Sequence, residues 1–209
     1  MSWCQSLTSS LRFLVLLNQN QMENREIEVR FLEIDKEKLI SRLLELGAKD
    51  YGESLLNEVI LDKGTDDWNQ NATDNKFVRV REGHGKTYIT YKHHQTLAAD
   101  GTEEIELEIN DFNKAVQFLE KVGLKICRHQ QKLRHKFSLN GVVVDIDTWP
   151  KIPTYVELEG ESEESLKEAA AILNLDWDKV VFKDAKKLIE ENYNIPIRNI
   201  KWFTFDRFE

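Results

Sequence analysis

Cysteine is nearly missing from this chain: Cys4 and Cys127 are the only two. That excludes a disulfide framework and a thiolate metal site, and a reducing, cytoplasmic setting fits best. Proline (3) and glycine (9) are sparse in 209 residues, and no Pro/Gly/Ser-rich linker divides the chain, so a single domain follows. Long apolar runs are lacking too. The stretch from Leu11 to Leu17 is far too short to span a bilayer, has only Arg12 as a positive flank and precedes no small-residue cleavage site, which argues against an anchor and a secretion signal. Basic residues (29) are outnumbered by acidic ones (37), a formal net charge of −8. The overall field therefore repels nucleic acid and acidic membranes, and any polyanion must be held by a local basic cluster. No Gly-rich phosphate loop and no Ser/His/Asp constellation is present.

What is there is a pattern used twice. EIEVRFLEID from Glu26 is followed by KEKLISRLLELGAK, and EIELEIND from Glu104 by FNKAVQFLEKVGLK. Each reads as a strand with acids at alternate positions, an Asp N-cap (Asp35, Asp111), and an amphipathic helix ended by Gly47 or Gly123. Leu39, Leu43, Leu44 and Leu46 form the expected buried stripe of the first helix, and Ala115, Phe118, Leu119 and Val122 that of the second. Three strand-like runs follow each helix, 51–61, 76–82 and 87–93, then 125–139, 142–149 and 154–160, with Asn140-Gly141 a type I′ hairpin signal. The spacing predicts an α+β fold from a twofold β-α-β-β-β repeat. Two further helices are expected over 162–173 and 176–193, with Ser162 and Asp176 as caps. Residues 22–209 form the domain, and residues 1–21 read as a disordered or dispensable extension.

The polar face of these strands is unusual. Glu26, Glu28 and Arg30 alternate with apolar residues, as do Arg79 and Arg81, Thr90 and Lys92, and Glu104, Glu106 and Glu108. So do Lys132, Arg134 and Lys136, then Asp145 and Asp147, then Glu157 and Glu159. A flat sheet with one solvated face explains any single strand. Across seven strands the signs are segregated, and like charges facing one another are unfavourable by up to ~1 kcal/mol unless a ligand sits between them. Closing eight strands into an antiparallel barrel, with helices outside, would gather the charges around one small ligand. Arg forks and Lys point charges suit a chain of phosphates, and clustered carboxylates suit Mg²⁺ or Mn²⁺. A metal–triphosphate complex needs both.

In their order these motifs resemble the CYTH domain proteins, the triphosphate tunnel metalloenzymes, over about Glu26 to Tyr193. The family's E-x-E-x-K looks like Glu26-Ile-Glu28-Val-Arg30, its R-x-R like Arg79-Val-Arg81, its T-x-K like Thr90-Tyr-Lys92 and its E-x-E-x-E like Glu104-Ile-Glu106-Leu-Glu108. The later basic strand is similar to Lys132-Leu-Arg134-His-Lys136, the D-x-D to Asp145-Ile-Asp147, and the closing E-x-E to Glu157-Leu-Glu159. The resemblance implies an eight-stranded closed tunnel and a small-molecule triphosphate substrate. It also implies divalent metal held by Glu26, Glu28, Glu106, Glu108, Asp145, Glu157 and Glu159. Arg79, Arg81, Lys92, Lys132, Arg134 and Lys136 would bind phosphate, with Lys92 and Arg30 as the catalytic pair. The reaction is triphosphate hydrolysis or, as in the class IV adenylate cyclases, formation of cyclic AMP and pyrophosphate. Hydrolysis is favoured because no loop offers an adenine-reading set.

One departure matters. Arg30 stands where the family has Lys, keeping the charge but unable to accept a proton. If that position must deprotonate, the role passes to Lys92 or another lysine, and a non-catalytic polyphosphate- or nucleotide-binding module stays open as a rival. Trp68 is a candidate cover for a ligand ring, and Tyr88 a candidate lumen hydrogen-bonder. His93 and His94, neighbours on a strand, point to opposite faces and do not make a zinc site. A homodimer is left open by the sequence.

Overall fold

The computed structural model describes residues 27–65, 68, 75–94, 102–183 and 185–209. The expectations about residues 1–21 and about Glu26 lie outside them. Elements run in the order β1 (Ile27–Phe31), α1 (Lys36–Glu45), β2 (Lys49–Asp62), β3 (Asn75–Gly83), β4 (Lys86–His94) and β5 (Thr102–Ile109). The second half continues with α2 (Phe112–Lys121), β6 (Lys125–Leu139), β7 (Val142–Thr148), β8 (Tyr155–Gly160) and α3 (Glu163–Ile172). A 3-10 turn at Trp177–Lys179, α4 (Ala185–Tyr193), a second 3-10 turn at Ile197–Asn199 and β9 (Trp202–Phe203) complete the chain. The twofold β-α-β-β-β order is as the sequence predicts.

Helix starts follow local chemistry. Asp35 accepts from the Lys38 amide at 3.0 Å, Asp111 from Lys114 at 2.9 Å and Ser162 from Ser165 at 3.2 Å. Gly47 and Gly123 take positive φ just past α1 and α2. The helix expected over 176–193 is broken. Asp176 caps only the short 3-10 turn, and Val181 then exchanges both backbone hydrogen bonds with Arg30, each 2.9 Å. The β-branched Val180-Val181 pair suits that extended bridge better than a helix.

The strands form one antiparallel sheet in the order β1-β8-β7-β6-β2-β3-β4-β5, with β9 added parallel to β6. β2 and β6 are long, pair along most of their length and carry irregularities at Asp50/Glu53 and Ile60/Leu61, which sharpen the curl of the sheet. The eight-stranded barrel architecture is the expected one, but its ring is not closed. β1 and β5 are the edges of an open half-barrel, and no described pairing joins them. Both lips carry charge on the concave face, Glu28 paired with Arg30 on one and Glu104, Glu106 and Glu108 on the other.

Helices pack outside. Leu39 and Leu43 of α1 and Leu166, Ala169 and Ala170 of α3 bury against Val29, Val144, Val156 and Leu158, and Ala115 and Leu119 of α2 against Val59, Val78 and Val80. The predicted stripes were too wide. Leu44 is exposed and Phe118 and Val122 are more than half exposed, because each sits on the flank of its helix, away from the sheet. Leu107 of β5 is 60% exposed, while Ile109 at the end of the same strand packs against the cluster under α2. A third apolar cluster, Trp149, Tyr155, Leu188, Ile189, Ile197 and Phe203, ties the C-terminal segment to one end of the half-barrel.

Candidate functional site

Register decides which side chains share the concave face. On one wall Lys136 lies opposite Asp145, Asp145 opposite Glu157, and Glu157 opposite Arg30, a rung crossing β6, β7, β8 and β1. One step away Glu159 faces Glu28 directly. On the other wall Ile60, Arg79, Thr90 and Glu106 form a rung across β2 to β5, flanked by Glu58, Arg81, Tyr88 and Glu108 and by Lys92 with Glu104. The structure thus brings every described candidate residue to one face of one sheet. Trp68 does not join them. It packs edge-on against Tyr91, with ring centroids 6.2 Å apart, in the apolar cluster under α2.

The deep wall is an ion-pair network. Arg134 grips both oxygens of Asp147, Nε to Oδ1 at 2.7 Å and Nη2 to Oδ2 at 2.6 Å, and also reaches Asp145 and Glu157. Lys132 Nζ shares Asp147 Oδ2 at 2.8 Å and lies 5.1 Å from the Trp149 ring centre. Arg30 pairs with Glu28 (2.9 Å) and Glu157 (2.7 Å) and donates to the Lys183 carbonyl at 2.7 Å. Burial alone would lower the Arg30 pKa, but Glu157 and Glu28 outweigh it and raise the value, so the charge is permanent. Burial would raise the Glu157 pKa, yet Arg30, Arg134 and Lys132 pull it well below the usual carboxylate range. Asp145 goes the other way despite its contact with Arg134: burial and the neighbouring Glu157 and Asp147 push it up. Lys132 is pushed down by burial and then by Arg134, against the pull of Asp147, Glu58 and Glu157.

The opposite wall is held more loosely. Lys92 meets Glu104 at 2.7 Å and Arg81 meets Glu106 at 3.5 Å, while Thr90 donates to Glu106 at 2.8 Å. Arg79 differs from all of these. Its nearest carboxylates, Glu58 and Glu104, are 3.9 and 4.0 Å away, and its buried Nε has no hydrogen-bond partner.

Sequence reasoning missed Glu58, Gln130, Arg128 and Tyr155. Glu58 stands on β2 without the charged i, i+2 companion that marked the other strands. Gln130 and Arg128 extend the Lys132-Arg134-Lys136 alternation backwards by two steps, a signal that was present but uncounted. Tyr155 does the same for Glu157 and Glu159, and accepts the Trp149 indole N–H at 2.9 Å.

Comparison with known proteins matches the CYTH domain model over residues 24–192. The chain belongs to the CYTH domain family. A protein of Methanocaldococcus jannaschii named "putative adenylate cyclase" is 27% identical over 173 residues, covering 78% of this chain and 97% of that protein. Among solved structures, a "putative adenylate cyclase" from Vibrio parahaemolyticus superposes with a TM-score of 0.64 at 14% identity, covering 79% of this chain and 97% of the other. A Hippeastrum protein described as a putative adenylyl cyclase with a dominant triphosphatase activity superposes with a TM-score of 0.54 at 14% identity, covering 81% and 95%. These superpositions speak to the fold. Among the described residues, no helix is long and apolar enough to cross a membrane.

Proposed function

We propose that this CYTH protein is a divalent-metal-dependent triphosphatase, hydrolysing inorganic triphosphate, thiamine triphosphate or a nucleoside triphosphate on its concave face. The observation that carries this reading is Arg79, a guanidinium inside the half-barrel whose donors are not taken by the acids around it. Buried donors without acceptors are unfavourable by ~1–3 kcal/mol, and phosphate oxygens are the acceptors that a guanidinium fork fits. Arg81, Lys132, Arg134 and Lys136 extend the phosphate-binding set.

On the concave face the described acids outnumber the bases, so a bare triphosphate would add uncompensated negative charge. Divalent cations correct that imbalance, and the donors suit them: the buried Asp145 Oδ1 lacks a hydrogen-bond partner, and oxygen donors are what Mg²⁺ or Mn²⁺ takes. No three acids or histidines are gathered as a ready-made cage among the described residues. Glu28, Glu157 and Glu159, with Glu106, are the residues proposed to hold the ion, with Glu26, Glu108 and Asp145 completing the candidate set. Once bound, the metal would activate water and offset charge on the leaving phosphate. Because Arg30 cannot release a proton, its part is to hold Glu157, and proton handling falls to a lysine, Lys92 or the buried Lys132.

Cyclisation of ATP is the second reading, favoured by the name of the Methanocaldococcus relative. Purified protein incubated with tripolyphosphate, thiamine triphosphate and ATP under Mg²⁺ or Mn²⁺, with phosphate, pyrophosphate and cyclic AMP assayed separately, tests both. Phosphate release supports hydrolysis, cyclic AMP with pyrophosphate supports the cyclase, and tight binding without turnover leaves a binding module in place of either.

A further inference from the structure

Beneath Arg79 runs a chain of three buried polar side chains to which neither reaction assigns a task. Arg128, Gln130 and Glu58 are 9%, 7% and 3% exposed. Arg128 Nη1 donates to the Ile197 carbonyl at 3.2 Å, and its Nε donates to Gln130 Oε1 at 2.7 Å. The other end of the Gln130 amide, Nε2, donates to Glu58 Oε2. Glu58 Oε1, left without a hydrogen bond, faces Arg79 Nη1 at 3.9 Å. Ile197 in turn is locked in the C-terminal cluster with Leu188, Ile189 and Phe203.

The polarity of this chain is one-directional. An amide is the neutral side chain that can accept from a guanidinium at one end and donate to a carboxylate at the other. Gln130 therefore links a fixed positive charge to a fixed negative one without letting them meet. Had Glu58 bonded Arg79 bidentately, the guanidinium donors would be consumed. Held back by Gln130, the carboxylate attracts Arg79 across 3.9 Å through a buried, weakly screened path and leaves its donors for a ligand. Burial would raise the Glu58 pKa, but Arg79, Lys132 and Arg81 hold it at about 2, so the negative charge persists at neutral pH.

We propose that Glu58 is a positioning residue for Arg79, and that the Gln130–Arg128 strut, anchored on the C-terminal segment at Ile197, sets its place. The proposal rests on Arg79 being a phosphate-binding group, as proposed above. It makes the C-terminal segment a support of the phosphate site, through the Ile197 carbonyl.

Two measurements test it. In the unliganded chain, the side-chain ¹⁵N NMR signal of Arg79 Nε, identified by its loss in Arg79→Lys, is expected to be single and sharp, and to broaden or shift in Gln130→Met. Arg128→Met, which cuts the strut at its far end, must move the same signal; an Arg79 signal indifferent to both substitutions overturns the strut. By calorimetry with tripolyphosphate and Mg²⁺, Gln130→Met is expected to weaken binding about tenfold, an effect that vanishes in an Arg79→Met background because coupled residues are non-additive. Additive losses overturn the assignment to Arg79. Absence of binding by the parent protein overturns the triphosphate reading instead, while the NMR measurement still decides the strut.

Discussion

Arg30 and Glu157 face each other across the β1–β8 ladder, Nη2 to Oε2 at 2.7 Å, both withdrawn from solvent. The pair sits at the junction of the first and last strands of the repeat, and Arg134 and Glu28 attach to it on either side. Removing one partner strands the other in a low-dielectric wall. Arg30→Met is expected to lower unfolding free energy by about 3 kcal/mol, read as the urea midpoint. Arg30→Lys should recover part of the loss, because a lysine restores the charge but not the several-armed fork that reaches Glu28, Glu157 and the Lys183 carbonyl. A midpoint unchanged in Arg30→Met would remove the pair from the stabilising network.

Glu58 makes stability depend on pH in a defined window. Its folded pKa is about 2 against an ordinary 4.5. A depressed carboxylate contributes stability that is fully present above the unfolded value and is lost as pH falls through the folded one. Unfolding free energy should therefore decline between pH 4.5 and 2, and Glu58→Gln should flatten that decline while leaving a lower plateau at pH 7. Equal slopes for the two proteins would sink the assignment.

Arg79 should separate binding from stability. With its carboxylates 3.9 and 4.0 Å away, Arg79→Met is expected to lower the thermal midpoint less than Arg30→Met does, because Glu58 keeps Gln130 as a donor and Lys132 and Arg81 nearby. Turnover of tripolyphosphate should fall by about 10²-fold, the scale of losing one preorganised donor. Full activity in this variant would remove the observation on which the proposed function stands.

Chelation gives a prediction about the acids. EDTA should abolish turnover, and Mn²⁺ or Mg²⁺ should restore it. Glu28→Gln and Glu159→Gln, which alter side chains directly opposite one another, should each raise the metal concentration needed for half-maximal rate by about tenfold, as loss of a ligand or its support does. Equal metal requirement in both variants and the parent would take this pair out of the metal set.

The outer face offers a contrast within one helix. Leu119→Ala should lower stability by about 2–4 kcal/mol, because the side chain is buried against β2 and β3. Phe118→Glu, one residue earlier and 64% exposed, should change it by less than about 0.5 kcal/mol.

That contrast also marks the limit of the sequence pattern. Alternation of period two assigns Arg79, Arg134 or Glu157 to a face without ambiguity, because a strand has only two. A helix grades continuously from buried to exposed, so Phe118 and Val122 pass as core by type while lying on the flank. Closure of the ring was beyond reach for a different reason: alternation within a strand says nothing of whether β1 and β5, far apart in the chain, pair with each other. Glu58 escaped because the acids of β2 are nowhere spaced at i, i+2 and so make no pattern. Only the register shows it lying between Gln130 and Arg81.

The pairing of β1 with β8 also shapes how the chain is made. Among the described strands β1 is made first and pairs with β8, which is made much later, and Val181 and Lys183, which clasp Arg30 from behind, emerge later still. Such long sequence separation slows folding. During that wait β1 and its arginine lack these partners, so the nascent sheet is most exposed to wrong strand pairing and chaperone capture until β8 and Lys183 have been made.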